Sequence, residues 1–258
     1  MIKDFLKYRD LLLMLTFRDI RVRYKQAAMG FVWAIFMPIM AVLAGIIIKK
    51  AISIFSGRPL DLQGVVSISI KVLPWTFFVS AIKFSVQSLV GNKNLITKIY
   101  FPREVLPFSC ILASLFDFMI AAITLTLLLS FTTIGASIYL LWVPLLIIFL
   151  IIFTAGLGLF LSSANLFFRD VKYVVEIILM FGIFFTPVFY EARMFGNWQI
   201  VMLLNPVGSI LEALNAVVVL HKMPDLFWTS YAAVISILVF VISLAIFHKK
   251  EPLFAENI

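Results

Sequence analysis

Residues 92–107 read NKNLITKIYFPREVLP, a short polar and basic stretch between two long apolar runs, and its reading decides the fold. Lys93, Lys98, Arg103 and Glu104 cannot rest in hydrocarbon, and Pro102 and Pro107 stop the helices that meet here. The stretch is therefore expected in water at a membrane face, joining two spans. Arg103 and Glu104 lie between the two prolines, where rigid backbone would hold a charged pair at the surface for a partner to grip. The competing reading is an ordinary loop whose positive charge only fixes topology.

Composition extends that reading to the whole chain. Of 258 residues, 63% are hydrophobic and 13% charged, with a mean hydropathy of +1.11, whereas soluble domains are roughly 45–50% apolar. The expected class is an all-α polytopic membrane protein. The net charge of +8 raises nucleic acid as a partner, but most Lys and Arg flank apolar runs on one side, as orientation charges and lipid-phosphate contacts do. No nucleic-acid partner is expected. A single cysteine, Cys110, excludes an internal disulfide, and with only His221 and His248 beside it no metal cluster is expected. The first thirty residues carry dispersed charge and no small-residue cleavage site after an apolar core, so no signal peptide is expected.

Runs of about 20 apolar residues mark spans. They fall at 30–48, 72–90, 105–131, 138–168, 174–190 and 226–247. A further apolar stretch, 198–220, holds Asn205, Pro206, Gly208, Glu212 and Asn215, and a full crossing there would bury an acid, two amides and a proline break. With six spans both termini share one side, which collects fourteen Lys and Arg against six on the other, Lys71 among the six. That asymmetry places both termini in the cytoplasm. Residues 191–225 then form an external segment of short re-entrant helices, with Asn205, Pro206, Glu212 and Asn215 as candidate gate residues, and 91–104 is a cytoplasmic loop.

Residues 1–29 are expected to form an amphipathic helix in the cytoplasmic interface. On a helix, Leu6, Leu13, Phe17, Ile20 and Tyr24 share a narrow arc, Arg18, Asp19 and Lys25 face away, Arg21 and Arg23 flank the boundary, and Val22 is misplaced. The arginines would sit near lipid phosphates. The helix is either a membrane anchor alone or part of a cytoplasmic docking platform with the loop at 91–104.

FRDIRVRYKQAAMGFVWAIFMP at 17–38, NKNLITKIYFPREVLP at 92–107, NLFFRDVKYVVEIILMFGIFFTPVFY at 165–190 and LLNPVGSILEALNAVV at 203–218 resemble the successive blocks of the ABC-2-type polysaccharide exporter permeases. These are the Wzm and TagG-like subunits that export O-antigen or teichoic acid. The resemblance implies a homodimer in the bacterial inner membrane, working with two copies of a separate ATPase that holds ATP and Mg, and passing a lipid-linked polysaccharide near the dimer interface. It implies an ATPase-coupling role for Asn92, Lys93, Asn94, Leu95, Lys98, Phe101, Pro102, Arg103 and Glu104. Arg18, Arg21, Arg23 and Lys25 would belong to the adjoining interface helix, and residues 191–220 would be external gate helices. The chain itself contains no G-x-x-x-x-G-K-[ST] phosphate loop, so no nucleotide cofactor is expected on it.

A glycan presents C–H patches on its ring faces, along which aromatic side chains can slide without trapping hydrogen bonds. Trp33, Phe36, Trp75, Phe77, Phe78, Phe84, Phe184, Phe185, Phe189 and Tyr190 are the candidates for such a channel, although aromatics in spans also pack or face lipid. Three charges fall inside spans: Lys83, Asp117 and Glu176. Lys83 and Asp117 lie about 10 and 18 Å deep at 1.5 Å per residue and could pair if their helices touch. A proton relay is the sharper alternative, but both histidines fall outside the spans. An exporter of a drug or lipid with the same architecture, a secondary transporter and a membrane-embedded enzyme remain as competing classes. The last is disfavoured by the lack of paired carboxylates or a histidine cluster at one depth.

Overall fold

The structure, a computed structural model, describes residues 8–25, 30, 32–56, 62–130, 135 and 137–255. These residues are helical, with no strand among them. The helices are α1 (Arg9–Tyr24), α2 (Val32–Ser56), α3 (Leu62–Gly91), α4 (Lys93–Lys98), α5 (Val105–Ser130), α6 (Trp142–Phe167), α7 (Val171–Phe185), α8 (Gln199–Leu203), α9 (Pro206–Val218) and α10 (Leu226–Lys250). Short 3₁₀ turns cover Ile138–Leu141, Ala192–Trp198 and Glu251–Ala255.

Among the described residues, four stretches are long and apolar enough to cross a membrane: Gln63–Gly91, Val105–Ser130, Ile138–Phe167 and Leu226–Phe254. They correspond to the expected spans at 72–90, 105–131, 138–168 and 226–247. The first of them starts earlier than the sequence reading placed it. Lys71, taken as a flanking external charge, lies within α3 and is only 1% exposed. A buried ammonium is tolerated there because acceptors from two other segments meet it.

The expected span at 174–190 is not one continuous helix. α7 has 15 residues and ends at Phe185, short of the roughly 20 that a crossing needs. Pro187 supplies the reason, since a proline disfavours helical backbone in the residue before it. Thr186 is accordingly extended, at φ −112° and ψ 135°.

α3 is the central element, packed against α5, α6, α9, α2 and α7. α9 is sunk into the same core: Val207, Ile210, Leu211, Leu214 and Val217 are all buried in it. Its start follows from sequence, with Asn205 capping by accepting from the Val207 N–H and Pro206 in the first turn, where its missing donor costs nothing. α6 and α10 approach closely at Gly156, where a Cβ would stand 2.8 Å from the Phe240 backbone. Small residues at such crossings let helices touch along their backbones.

A second, smaller apolar core lies at the opposite end of α3. It gathers Leu15 of α1, Leu89 of α3, Ile96 of α4, Phe101, Leu106 of α5, Leu159 and Leu166 of α6, Phe247 of α10 and Phe254. The stretch 92–107 is thus packed against α1, α3, α6 and α10 rather than hanging free.

Candidate functional site

Within that stretch, Asn92 donates from Nδ2 to the Ser88 carbonyl at 2.8 Å and so continues the end of α3. α4 then turns Ile96 inward, while Lys93, Asn94 and Lys98 face out and Leu95 is half-buried. Phe101 is buried and Pro102 half-buried. Between them and α4, Ile99 is 58% exposed and Tyr100 95% exposed. An apolar residue and a phenol standing almost wholly in solvent on an anchored base form a protruding tip. The sequence reading had placed the grip on the charges instead.

The charged pair behaves differently from expectation. Glu104 was read as lying in water, yet it is 3% exposed. Its Oε2 lies 2.5 Å from His248 Nε2 at the end of α10. Burial pushes its carboxyl pKa up, and the hydrogen bond and charge of His248 offset part of that rise. The Arg103 side chain is likewise not free: its Nη1 donates to the Glu251 carbonyl, its backbone N–H donates to Glu251 Oε1 at 3.1 Å, and its guanidinium lies 6.0 Å from the centre of the Phe254 ring. The pair faces inward because the last turn of α10 and the 3₁₀ turn after it supply complementary groups.

α1 docks on α5 through a polar seam. Arg23 Nη1 bonds Asp117 Oδ2 at 2.7 Å, and Nη2 donates to Ser114 Oγ at 3.1 Å and to the Cys110 carbonyl at 3.4 Å. Tyr24 Oη donates to Asp117 Oδ1 at 2.7 Å, and the guanidinium of Arg23 stacks 3.8 Å over Phe84. One turn away, Ser109 Oγ donates to Asp19 Oδ2 at 2.9 Å. Two expectations are corrected here. Asp117 pairs with Arg23 rather than Lys83, which is exposed on α3. Arg23 points into the protein rather than toward lipid phosphate.

The buried face of α1 therefore matches the apolar arc read from sequence only in part, at Ile20 and Tyr24. Leu15, Thr16 and Ile20 are buried, whereas Leu13 and Phe17 are exposed and Leu6 lies outside the described residues. Asp19, read as facing away, faces α5 because its hydrogen-bonding partner is there. Arg18 binds Asp19 at 2.8 Å, and Arg21 and Lys25 are exposed. Met14, Phe17, Arg18, Arg21, Val22 and Lys25 line an outward depression of about 560 Å³.

At the other end of α3, Lys71 Nζ donates to the Tyr190 carbonyl at 2.5 Å and to Glu212 Oε1 at 3.2 Å. Glu212 Oε1 also receives the Ala192 N–H at 3.4 Å. One lysine thus ties α3 to the turn after α7 and to α9. Asn205 Nδ2 donates to Thr186 Oγ1 at 2.9 Å, securing the break before α9. Asn215 is buried, and its Oδ1 has no hydrogen-bond partner among the described residues. A cavity of about 270 Å³ beside this cluster is lined by Arg193, Gln199, Glu212, Lys222, Asp225 and Trp228, among others.

The ten aromatic candidates do not form one surface. Trp75, Phe77 and Phe78 are buried in the main core, with Phe77 tilted against Phe118 and Phe78 stacked on Phe153. Phe84 lies under Arg23. Phe36, Phe184 and Phe185 are exposed, Trp33 meets Phe36 edge to face at 5.4 Å, and Phe189 and Tyr190 are half-buried. Tyr190 donates its hydroxyl to the Phe184 carbonyl and packs 4.8 Å from Phe195. Glu176 is exposed on α7.

The residues missed from sequence are Asp19, Lys71, Ser109, Ser114, His248, Glu251 and Phe254. Only one carried a local signal: Phe254 is an aromatic residue beyond the basic end of the last apolar run, in KKEPLF.

The family model described as ABC-2 type transporter matches residues 10–219. The chain is similar to the O-antigen export system permease protein RfbA of Myxococcus xanthus, 24% identical over 261 residues that cover 100% of this chain and 99% of that protein. It is also similar to two proteins of the same description from Klebsiella pneumoniae, each 28% identical over 254 residues, covering 96% of this chain and 94% of theirs.

Proposed function

The chain belongs to the ABC-2 type transporter family, and on that premise we propose that it is the transmembrane subunit of an ABC exporter for a lipid-linked polysaccharide of the O-antigen type. The observation that carries this reading is end-to-end similarity to O-antigen export permeases, with no large region of either partner left unmatched. The work of ATP hydrolysis falls to a separate ATPase subunit, two copies serving a homodimer of this chain. The protein crosses the inner membrane six times with both termini in the cytoplasm, the crossings beyond the four long spans being supplied by α2 and by α7 together with the non-helical residues that follow it to Tyr190.

In this arrangement the segment 92–104 meets the ATPase through Lys93, Asn94, Lys98, Ile99 and Tyr100. The residues of α1 left outward, including Phe17, Arg21 and Lys25, rest at the cytoplasmic membrane surface, where apolar and cationic side chains partition together. α8 and α9 gate the external side. Glycan contact falls to aromatics that keep an exposed edge, namely Trp33, Phe36, Phe84, Phe184, Phe185, Phe189 and Tyr190, rather than to Trp75, Phe77 and Phe78.

Reconstitution in vesicles tests the reading. With its cognate ATPase and Mg-ATP the protein is expected to deliver lipid-linked glycan to the far side. Transport by this chain alone under a proton gradient would instead make it a secondary transporter.

A further inference from the structure

The contact between the coupling segment and the C-terminal end of the chain has a form that a simple helix end would not need. His248 and Glu251 lie 144 and 148 residues after the groups they hold. They hold different atoms in different ways: a side-chain bond from His248 to buried Glu104, and two bonds from Glu251 to the backbone and side chain of Arg103. The 3₁₀ turn then brings Phe254 back to full burial, its ring 5.0 Å from Phe247 and 5.9 Å from Phe167. Ionic and apolar anchors therefore act on the same segment at once. Immediately before it, Ile99 and Tyr100 stand in solvent.

We propose that His248, Glu251 and Phe254 form a positioning strap that fixes residues 101–104 to the inner end of α10, so that a push on the exposed Ile99 and Tyr100 tip is delivered to α10 rather than absorbed by the loop. α10 passes it on where its backbone touches Gly156 of α6. The proposal rests on the exporter reading above, and it assigns Arg103 and Glu104 to the interior of this chain rather than to the ATPase contact. The physical requirement is stiffness. A segment held only by its two flanking helices could pivot, whereas three further anchors on α10 and the 3₁₀ turn that continues it leave one packed arrangement for a partner to move as a body.

The test compares wild type, His248→Ala, His248→Gln, Glu251→Ala and Phe254→Ala, each reconstituted in vesicles with the cognate ATPase. Three quantities are read: ATPase retained on purification, ATP turnover, and glycan exported per ATP. The alanine variants are expected to retain the ATPase and hydrolyse ATP while export per ATP falls about tenfold, within the range that loss of one coupling interaction gives. His248→Gln keeps an N–H donor for Glu104 and should recover most of the yield. Unchanged export per ATP in the three alanine variants overturns the strap. Failure of all three to assemble with the ATPase also overturns it, since the segment would then be a folding or docking element. Failure of wild type to export is a failure of the exporter reading itself, and is distinguished by that control.

Discussion

Arg23 and Asp117 meet at 2.7 Å across the junction of α1 and α5, 94 residues apart in sequence. The pair is largely shielded, and Ser114, Tyr24 and the face of Phe84 complete its surroundings. Removing one partner strands the other charge. Arg23→Ala or Asp117→Ala should each cost about 2 kcal/mol, between a typical membrane-bundle hydrogen bond and a fully buried pair. The double variant should cost less than the sum, because the second change removes a charge already unpaired. Denaturation of the purified protein in detergent measures all three.

The Lys71 and Glu212 pair is asymmetric, and the asymmetry makes a directional prediction. Lys71 is 1% exposed and the Glu212 side chain 18%. Glu212→Ala leaves a buried ammonium with the Tyr190 carbonyl as its remaining acceptor, and should cost about 3 kcal/mol or more. Lys71→Met leaves a carboxylate that can turn toward the adjoining cavity, so it should be the milder change by at least ~1 kcal/mol. Equal losses would mean that the lysine is not the stranded partner. Melting temperatures of the two variants decide it.

Glu104 gives the pH dependence. Its folded pKa is raised above the ordinary value of 4.5, burial being the main cause and His248 a partial offset. A raised folded pKa means that the native state binds the proton more tightly than the unfolded chain. This stabilising contribution is full below the unfolded pKa and is lost as pH rises through the folded one. Glu104→Gln removes the titration, so relative to wild type it should gain stability as pH rises above the ordinary value of 4.5. Melting curves across that range test the sign.

The long spans were legible because composition and length alone define them, and α5 and α6 fall almost where apolar runs begin and end. The segment 92–107 was also legible as a joint between two long helices, since its prolines act locally. What could not be read was pairing. Asp117 has no local feature that prefers Arg23 over Lys83; the choice depends on which face of α1 docks on α5. That face in turn is set by Asp19 and Arg23 finding Ser109 and Asp117, not by the apolar stripe that periodicity singles out. Glu104 looked exposed for the same reason, because its partner lies 144 residues away. The 174–190 run is interrupted at a point the sequence does mark, Pro187, whose local effect on Thr186 the apolar run around it obscures.

The proposed topology rests on the charge asymmetry and is testable without function. In a Cys110→Ser background, a cysteine replacing Asn197 or Asp225 should react with an impermeant thiol reagent in intact cells. One replacing Asn94 should react only after the cells are opened, and the same is expected at Asn257, which lies outside the described residues. Labelling of position 257 in intact cells would put the C-terminus outside and require an odd number of crossings.

The tip and the base of the coupling segment should respond differently to substitution. Tyr100 is 95% exposed and Lys98 is exposed, so neither Tyr100→Ala nor Lys98→Glu alters a buried side chain. Both should leave stability within about 0.5 kcal/mol of wild type, as surface changes usually do. Tyr100→Ala removes an aromatic anchor of the kind that dominates protein interfaces, and its loss there typically costs about 2 kcal/mol of binding, or roughly thirtyfold in ATPase affinity. Glu104→Lys should do the reverse. It drives an ammonium into a site built for a carboxylate, beside His248 and Arg103, and should destabilise the permease before any partner is added. Melting temperatures and ATPase affinities, measured side by side for the three variants, separate the two behaviours. A stable Glu104→Lys protein that merely loses the ATPase would return Glu104 to the docking surface.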